Sequence, residues 1–476
     1  MPKYFLAVDI GASGGRHYAG YIEDDRLNIR EIHRFANSPA RDGSHLVWDT
    51  EVIFTEILAG MKKCAAAGIT PVSVGVDTWG VDYVLLDGHT NKTGKSYSYR
   101  DKRTYGMEQR FDASMSPKGL YERTGIQRMP INTLYQLMAH MDEEPGDFDK
   151  ARRLLMLPDY FHFLLAGELC SEYTVASTSQ LVNAVTKDWD RDVMAAAGIP
   201  GSLFGDLHLP GARLGTLQKG IADEVGYSCD VVLPCAHDTA SAVAALPIAP
   251  SAVGGGPLYV SSGTWSLIGC ESAAPVLTDK CRKMNFTNEG GYGYRYRLLK
   301  NIMGLWMIQS VRRELVPGMS FDELSLAASE ADIDTKIDCE DKAFLSPDSM
   351  HEAIRDWCGD RGLRAPTDAF ESAAVIYGSL ADSYACNAAE LADVTGREFT
   401  DIFIIGGGSK DRYLNELAAR ATGMTIHAGP SEATAVGNIL TQMISAGVFS
   451  GLDEAKACVR NSFEIKTYEG SAVHVN

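Results

Sequence analysis

The chain lacks the features that would place it in a membrane, on nucleic acid or outside the cell. No run in its 476 residues approaches the roughly 18 apolar residues of a bilayer-spanning helix. The opening MPKYFLAVD is apolar only briefly before Asp9 interrupts it, which speaks against a signal peptide. Cationic excess is missing as well. Forty-four Lys and Arg face 62 Asp and Glu, and a net charge of −18 disfavours nucleic acid and anionic membranes as partners. A small anionic ligand is still allowed, because a nest of N–H groups, a cation and one Arg can reverse the field inside a cleft. The ten cysteines form no CxxC pair and no Cys–His cluster, so buried, reduced thiols in a cytoplasmic protein are expected. No G-x-G-x-x-G opens a helix, which disfavours a dinucleotide dehydrogenase. GHTNKTGKS (88–96) imitates a Walker loop, but five residues separate Gly88 from Gly94 and the YSYRD that follows is no helix.

What is present is α/β patterning, with strand runs alternating with helical ones throughout. One small device occurs twice. Residues 4–22 read as an apolar strand, a turn of Gly11, Ala12, Ser13, Gly14 and Gly15, and a returning strand. Residues 257–269 repeat the scheme around Ser261, Ser262, Gly263 and Thr264. Turns of small residues let backbone N–H groups crowd around an anion. One such turn is a hairpin; two, each heading one half, suggest two lobes gripping one polyphosphate. The densest cluster of Pro and Gly, residues 247–257, divides the chain into domains 1–246 and 247–476.

Several segments carry candidate chemistry. Asp9 ends an apolar strand, where it either holds Mg²⁺ through water beside a phosphate or bonds its own turn. Arg16 follows, facing a phosphate or solvent. Three glycines, 406–408, follow the buried strand 402–405 and suit the close approach of a nucleoside or of a neighbouring element. His237, Asp238 and Thr239 stand between a strand and a helix, where α/β sheets place ligands. Asp238 is either a helix cap or a base for a substrate hydroxyl. Asn301 and Gln309 are read on one helix over about 298–315, roughly 12 Å apart at 1.5 Å per residue. Trp79 and Asp82 offer a platform and an acceptor for a sugar, or belong to the core.

Taken together, VDIGASGGR (8–16), GVDTWGVDYVLLD (75–87), HDTASAV (237–243), SSGTWSLIG (261–269), TNEGG (287–291), LKNIMGLW (299–306), IIGGGS (404–409) and GPSEATAVGN (429–438) resemble the FGGY carbohydrate kinases of the actin–hexokinase–Hsp70 ATPase superfamily. The resemblance implies two RNase H-like (actin-like ATPase) domains, a sugar lobe and a nucleotide lobe, with an interdomain active-site cleft. It further implies Mg²⁺-dependent transfer of phosphate from ATP to L-rhamnulose, giving L-rhamnulose 1-phosphate; apart from the resemblance, a monomer or weak dimer is expected. Carried over by motif, Asp238 is the general base, and Gly80, His237, Thr239 and Asn301 contact the ketose. Ala12, Ser13, Gly14, Gly15, Arg16, Thr264, Gln309 and Gly407 contact ATP, and Asp9 assists the metal. GASGGR stands where such kinases read GASSGR, so Gly14 supplies backbone but no hydroxyl. The alternatives are a kinase for L-fuculose or L-xylulose, or a nucleotide-gated sugar-binding protein without phosphotransfer.

Overall fold

The structure is a computed structural model that describes residues 2–248 and 256–470. Most of the breaker-rich segment read as the domain boundary therefore lies outside the described residues. The chain divides into two compact units. The first combines Met1–Pro250, Ser272–Leu298 and Ala433–Ser462; the second combines Ser251–Glu271, Leu299–Glu432 and Phe463–Asn476. Each unit is drawn from three separate stretches of the chain. Helix Ala433–Ser445 packs on strands Tyr4–Gly11 and Pro71–Thr78, which draws a late segment into the first unit.

In the first unit a sheet runs in the order Gly14–Glu23, Tyr4–Gly11, Pro71–Thr78, Asp230–Val232, Arg213–Thr216, with Arg26–Ala36 outside Gly14–Glu23. The successive pairings from Gly14–Glu23 are antiparallel, parallel, parallel and antiparallel. In the second unit Trp265–Ser272, Leu258–Ser262, Asp401–Ile405, Thr425–Ala428 and Lys466–Tyr468 follow in the same succession of pairings. The repeated device of the sequence is therefore the first hairpin of the same RNase H-like sheet, built twice.

The central strands of the first unit are buried on both faces, as parallel strands are. Alternation sorts their side chains. Leu6, Val8, Val74 and Val76 pack with Ile53, Ile57 and Met61 of helix Thr50–Ala66 and Phe161 of helix Leu157–Ala166. Ser73, Gly75 and Asp77 point the other way, toward helix Ala433–Ser445. There Ser73 donates to Gln442 at 2.7 Å, and a Cβ on Gly75 would lie 2.9 Å from Asn438 Oδ1.

One expected helix is mostly something else. Residues 296–303 are a strand, and only Trp306–Leu315 is helical. Gly304 enforces the break, since a Cβ there would lie 2.6 Å from the Trp265 carbonyl carbon. The next two N–H groups bond the hairpin turn, Leu305 to the Gly263 carbonyl at 2.9 Å and Trp306 to that of Thr264 at 3.0 Å. Asn301 therefore lies on the strand and Gln309 on the helix, and the spacing along one helix does not exist. Pro158 sits in the first turn of helix Leu157–Ala166, directly after strand Arg153–Met156.

Candidate active site

Strand register in the first unit brings carboxylates together. Asp9 and Asp77 stand opposite each other in the parallel pair, and Thr78 bridges to His237 one position on. The ends of three neighbouring strands thus carry Asp9, Asp77 and the pair His237–Asp238, at the carboxyl edge where open α/β sheets place ligands. Asp77 was not singled out in the sequence. It repeats the pattern of Asp9, an acid closing an apolar strand, but its role depends on pairing that no local window shows.

Asp77 is fully buried; Oδ2 accepts from Asn438 at 2.6 Å, while Oδ1 has no hydrogen-bond partner. Burial first, then the Asp9 carboxylate, pushes its carboxyl well above the ordinary range, with Asn438 working against them and Asp238 adding to the rise. Arg16 brings positive charge, with Nη2 3.9 Å from Asp9 Oδ2 across the hairpin. Oxygen donors with an unfilled lone pair suit a hard dication, which typically takes one or two carboxylates and keeps water on its other positions. Among the described residues no group of three or more His, Cys, Asp or Glu forms a metal cage.

Asp238 is not the helix cap. His237 is the N-cap of helix Asp238–Ala244, with no side-chain capping bond, and Asp238 is the first helical residue. Its Oδ1 accepts from the Thr239 N–H at 2.5 Å and the Thr239 hydroxyl at 3.0 Å. His237 Nε2 lies 3.4 Å from the same oxygen. The backbone behind is pinned by Glu172, whose Oε2 accepts from the Ala236 N–H at 3.2 Å and the Thr174 hydroxyl at 2.6 Å, while Thr174 Oγ1 accepts from the His237 N–H at 3.3 Å. Burial pushes Glu172 up to about 7 against these donors. Glu289 and Arg297, also overlooked in the sequence, reach His237 from the far side: Arg297 Nη2 is 3.0 Å and Glu289 Oε2 3.4 Å from Nδ1.

The turn after Pro71–Thr78 holds Gly80, where a Cβ would meet Thr178 Oγ1 at 2.7 Å. Val81 beside it has φ 70°, an uncommon conformation for a β-branched residue. Hydrogen bonds hold it on both sides: its N–H donates to Thr178 at 3.0 Å and its carbonyl accepts from Thr133 at 2.6 Å. Asp82 and Trp79 belong to the core. Asp82 is buried and accepts from Trp48 Nε1, Trp79 Nε1 and the Tyr99 N–H on Oδ2 and from Gln136 Nε2 on Oδ1, at 2.6 to 3.2 Å, which ties its carboxylate into the core.

The hairpin Ala12–Ser13 is a two-residue connection, with Gly11 paired to Gly14. Packing accounts for the next two glycines. A Cβ on Gly14 would lie 2.9 Å from the Phe35 carbonyl oxygen, and one on Gly15 only 2.2 Å from the Phe35 ring. In the second unit, Gly406 and Gly408 are likewise crowded by Ser262, at 2.8 and 2.1 Å, whereas the exposed Gly407 has its nearest neighbour at 3.9 Å. Thr264 lies in the Gly263–Thr264 turn, its carbonyl receiving the Trp306 N–H, and Gln309 lies on the helix that this turn leads into.

Comparison with known proteins gives the family of the chain. The model of the FGGY family of carbohydrate kinases, N-terminal domain, matches residues 4–245, and that of the C-terminal domain matches residues 258–446. The chain is 43% identical over 466 residues to a rhamnulokinase of Halalkalibacterium halodurans, covering 98% of each, and 39% identical to one of Bacillus subtilis, covering 98% of this chain and 95% of the other. Its fold is similar to a ligand-bound xylulose kinase from Lactobacillus acidophilus (TM-score 0.77, 14% identity, 98% and 94% covered). It is also similar to the ADP-bound glycerol kinase of Plasmodium falciparum (TM-score 0.76, 13% identity, 98% and 94% covered). The chain belongs to the FGGY family of carbohydrate kinases. It is a phosphotransferase with an alcohol group as acceptor. All ten cysteines are free, nine of them buried, and no helix among the described residues is long and apolar enough to cross a membrane.

Proposed function

We propose that the chain phosphorylates L-rhamnulose on its O1 hydroxyl at the expense of ATP. The observation that carries the sugar is the identity of 39–43% to relatives named rhamnulokinase, spread over nearly their whole length. Asp238 is the base. Its Oδ1 is occupied by Thr239, so Oδ2 is the oxygen that takes the proton from the acceptor hydroxyl. His237, Thr239, Gly80 and Asn301 orient the ketose. Ala12 to Arg16, Thr264, Gln309 and Gly407 contact the nucleotide, with Gly407 offering an open backbone. Asp9 and Asp77 would hold Mg²⁺ through water, and the ion would neutralise charge on the phosphates. A loose transition state asks little of the base, since the proton leaves late.

The test is ATP-coupled turnover on L-rhamnulose, L-fuculose, L-xylulose and glycerol. L-Rhamnulose is expected to give the highest kcat/KM, because polar groups built for its hydroxyls are left unpaired by the others. A preference for xylulose or glycerol overturns the assigned sugar.

A further inference from the structure

Behind Asp238 lies a row of alternating charge that its own helix does not supply. Glu289 comes from strand Thr287–Gly290 and Arg297 from strand Tyr296–Met303, and their side chains are 9% and 0% exposed. Arg297 Nε donates to the Gly290 carbonyl at 2.9 Å, which sets the guanidinium so that Nη2 lies 3.0 Å from both His237 Nδ1 and Glu289 Oε2. A guanidinium only donates, and it stays charged throughout the accessible pH range. Nδ1 must therefore accept. In a neutral imidazole the proton then sits on Nε2, the nitrogen that faces Asp238 Oδ1 at 3.4 Å. Burial works against charge on Glu289, but the adjacent Arg297 guanidinium holds its carboxyl below the ordinary value, so it stands as the counter-ion.

We propose that Arg297 and Glu289 are positioning residues for the acceptor site: Arg297 fixes His237 as the tautomer whose Nε2–H is donated to Asp238 Oδ1, and Glu289 neutralises the guanidinium that does so. With the two Thr239 hydrogen bonds, the Nε2–H then also faces Oδ1, and Oδ2 keeps its lone pairs for the substrate hydroxyl. The inference rests on Asp238 as the base. Glu289 has a second consequence. Its Oε2 is 3.4 Å from Nδ1, so without Arg297 the carboxylate claims the Nδ1 proton and turns the Nε2 lone pair toward Asp238.

The tautomer is read directly from ¹⁵N spectra of histidine-labelled full-length protein at mildly alkaline pH, with His237 assigned by its loss in His237→Gln. Protonated Nε2 and unprotonated Nδ1 are expected in the wild type. Arg297→Met should flip the tautomer and lower kcat by about 10–100-fold, the cost usual for removing a partner that orients a functional histidine. Arg297→Met leaves a buried carboxylate alone and folds poorly for that reason. The double variant Arg297→Met with Glu289→Gln removes both charges, and the amide introduced at position 289 can donate to Nδ1. It should recover the Nε2–H tautomer together with most of the lost kcat. Protonated Nδ1 in the wild type overturns the proposal, as does a folded double variant that shows the Nε2–H tautomer yet stays as slow as Arg297→Met. Asp238→Asn separates the two readings. Normal turnover there removes the base whatever the tautomer, whereas an inactive Asp238→Asn beside a wild-type Nδ1–H leaves the base standing and removes only the positioning role.

Discussion

Thr239 donates twice to one oxygen of Asp238, through its N–H at 2.5 Å and its hydroxyl at 3.0 Å. A carboxylate satisfied on one side in this way presents its other oxygen in a defined direction. The N-cap position of the helix belongs to His237, and Asp238 is its first residue.

Asp238→Asn keeps the shape and an acceptor for Thr239 but removes the base. Turnover should fall about 10²–10⁴-fold, while thermal unfolding remains cooperative at a similar temperature. Sugar-dependent ADP release and a melting curve on this one variant check it, and near-wild-type turnover would deny Asp238 its role.

The glycines of the two turns should divide by cause. Gly15→Ala places a methyl 2.2 Å from the Phe35 ring and should destabilise the fold by about 1–3 kcal/mol, with partial recovery in Gly15→Ala combined with Phe35→Leu. Gly407→Ala meets nothing closer than 3.9 Å and should shift stability by less than about 0.5 kcal/mol. Its effect should appear instead as a raised KM for ATP. Urea denaturation and ATP titrations of both variants decide the matter; an unfolded Gly407→Ala would contradict it.

His162 should make stability fall in acid. It is fully buried, its Nε2 accepts from the Val76 N–H at 3.0 Å, and burial pulls it from 6.5 down to about 3. A lowered value means that the unfolded chain takes up the proton first. The contribution is complete above pH 6.5 and is lost progressively as pH falls toward 3, amounting to about 2 kcal/mol at pH 5. His162→Gln, which retains an acceptor for Val76, should show a flatter stability profile between pH 7 and 5. Equal slopes in the two proteins would exclude the effect.

Local pattern made the hairpins and central strands legible, because a period of two followed by small turn residues needs no information from elsewhere. It failed at Asn301, where the apolar run reads as helix and only the close approach of the Gly304 backbone to Trp265, a residue of another hairpin, accounts for the break. Asp82 offered chemistry in the sequence and proved to be enclosed by two tryptophans, a glutamine and a backbone N–H. Asp77 and the Glu289–Arg297 pair went unread for the converse reason. Each matters only beside a residue far along the chain: Asp77 opposite Asp9, and Arg297 against His237, 60 residues away.

The late helix Ala433–Ser445 also sets the order in which the protein can mature. Asn438 bonds Asp77 across 361 positions, Gln442 receives the Ser73 hydroxyl across 369, and Gln442 reaches the Leu6 carbonyl across 436. Until that helix has left the ribosome, these polar groups of the first sheet have only water for partners, and Gly75 faces an open groove. A chain released anywhere between residues 250 and 432 would carry Asp9 and Asp77 on an uncovered sheet. Domains generally fold as units, the N-terminal one first. Here the N-terminal unit must wait for nearly the whole message, so a prematurely terminated product is a target for chaperones and proteases rather than a half-enzyme.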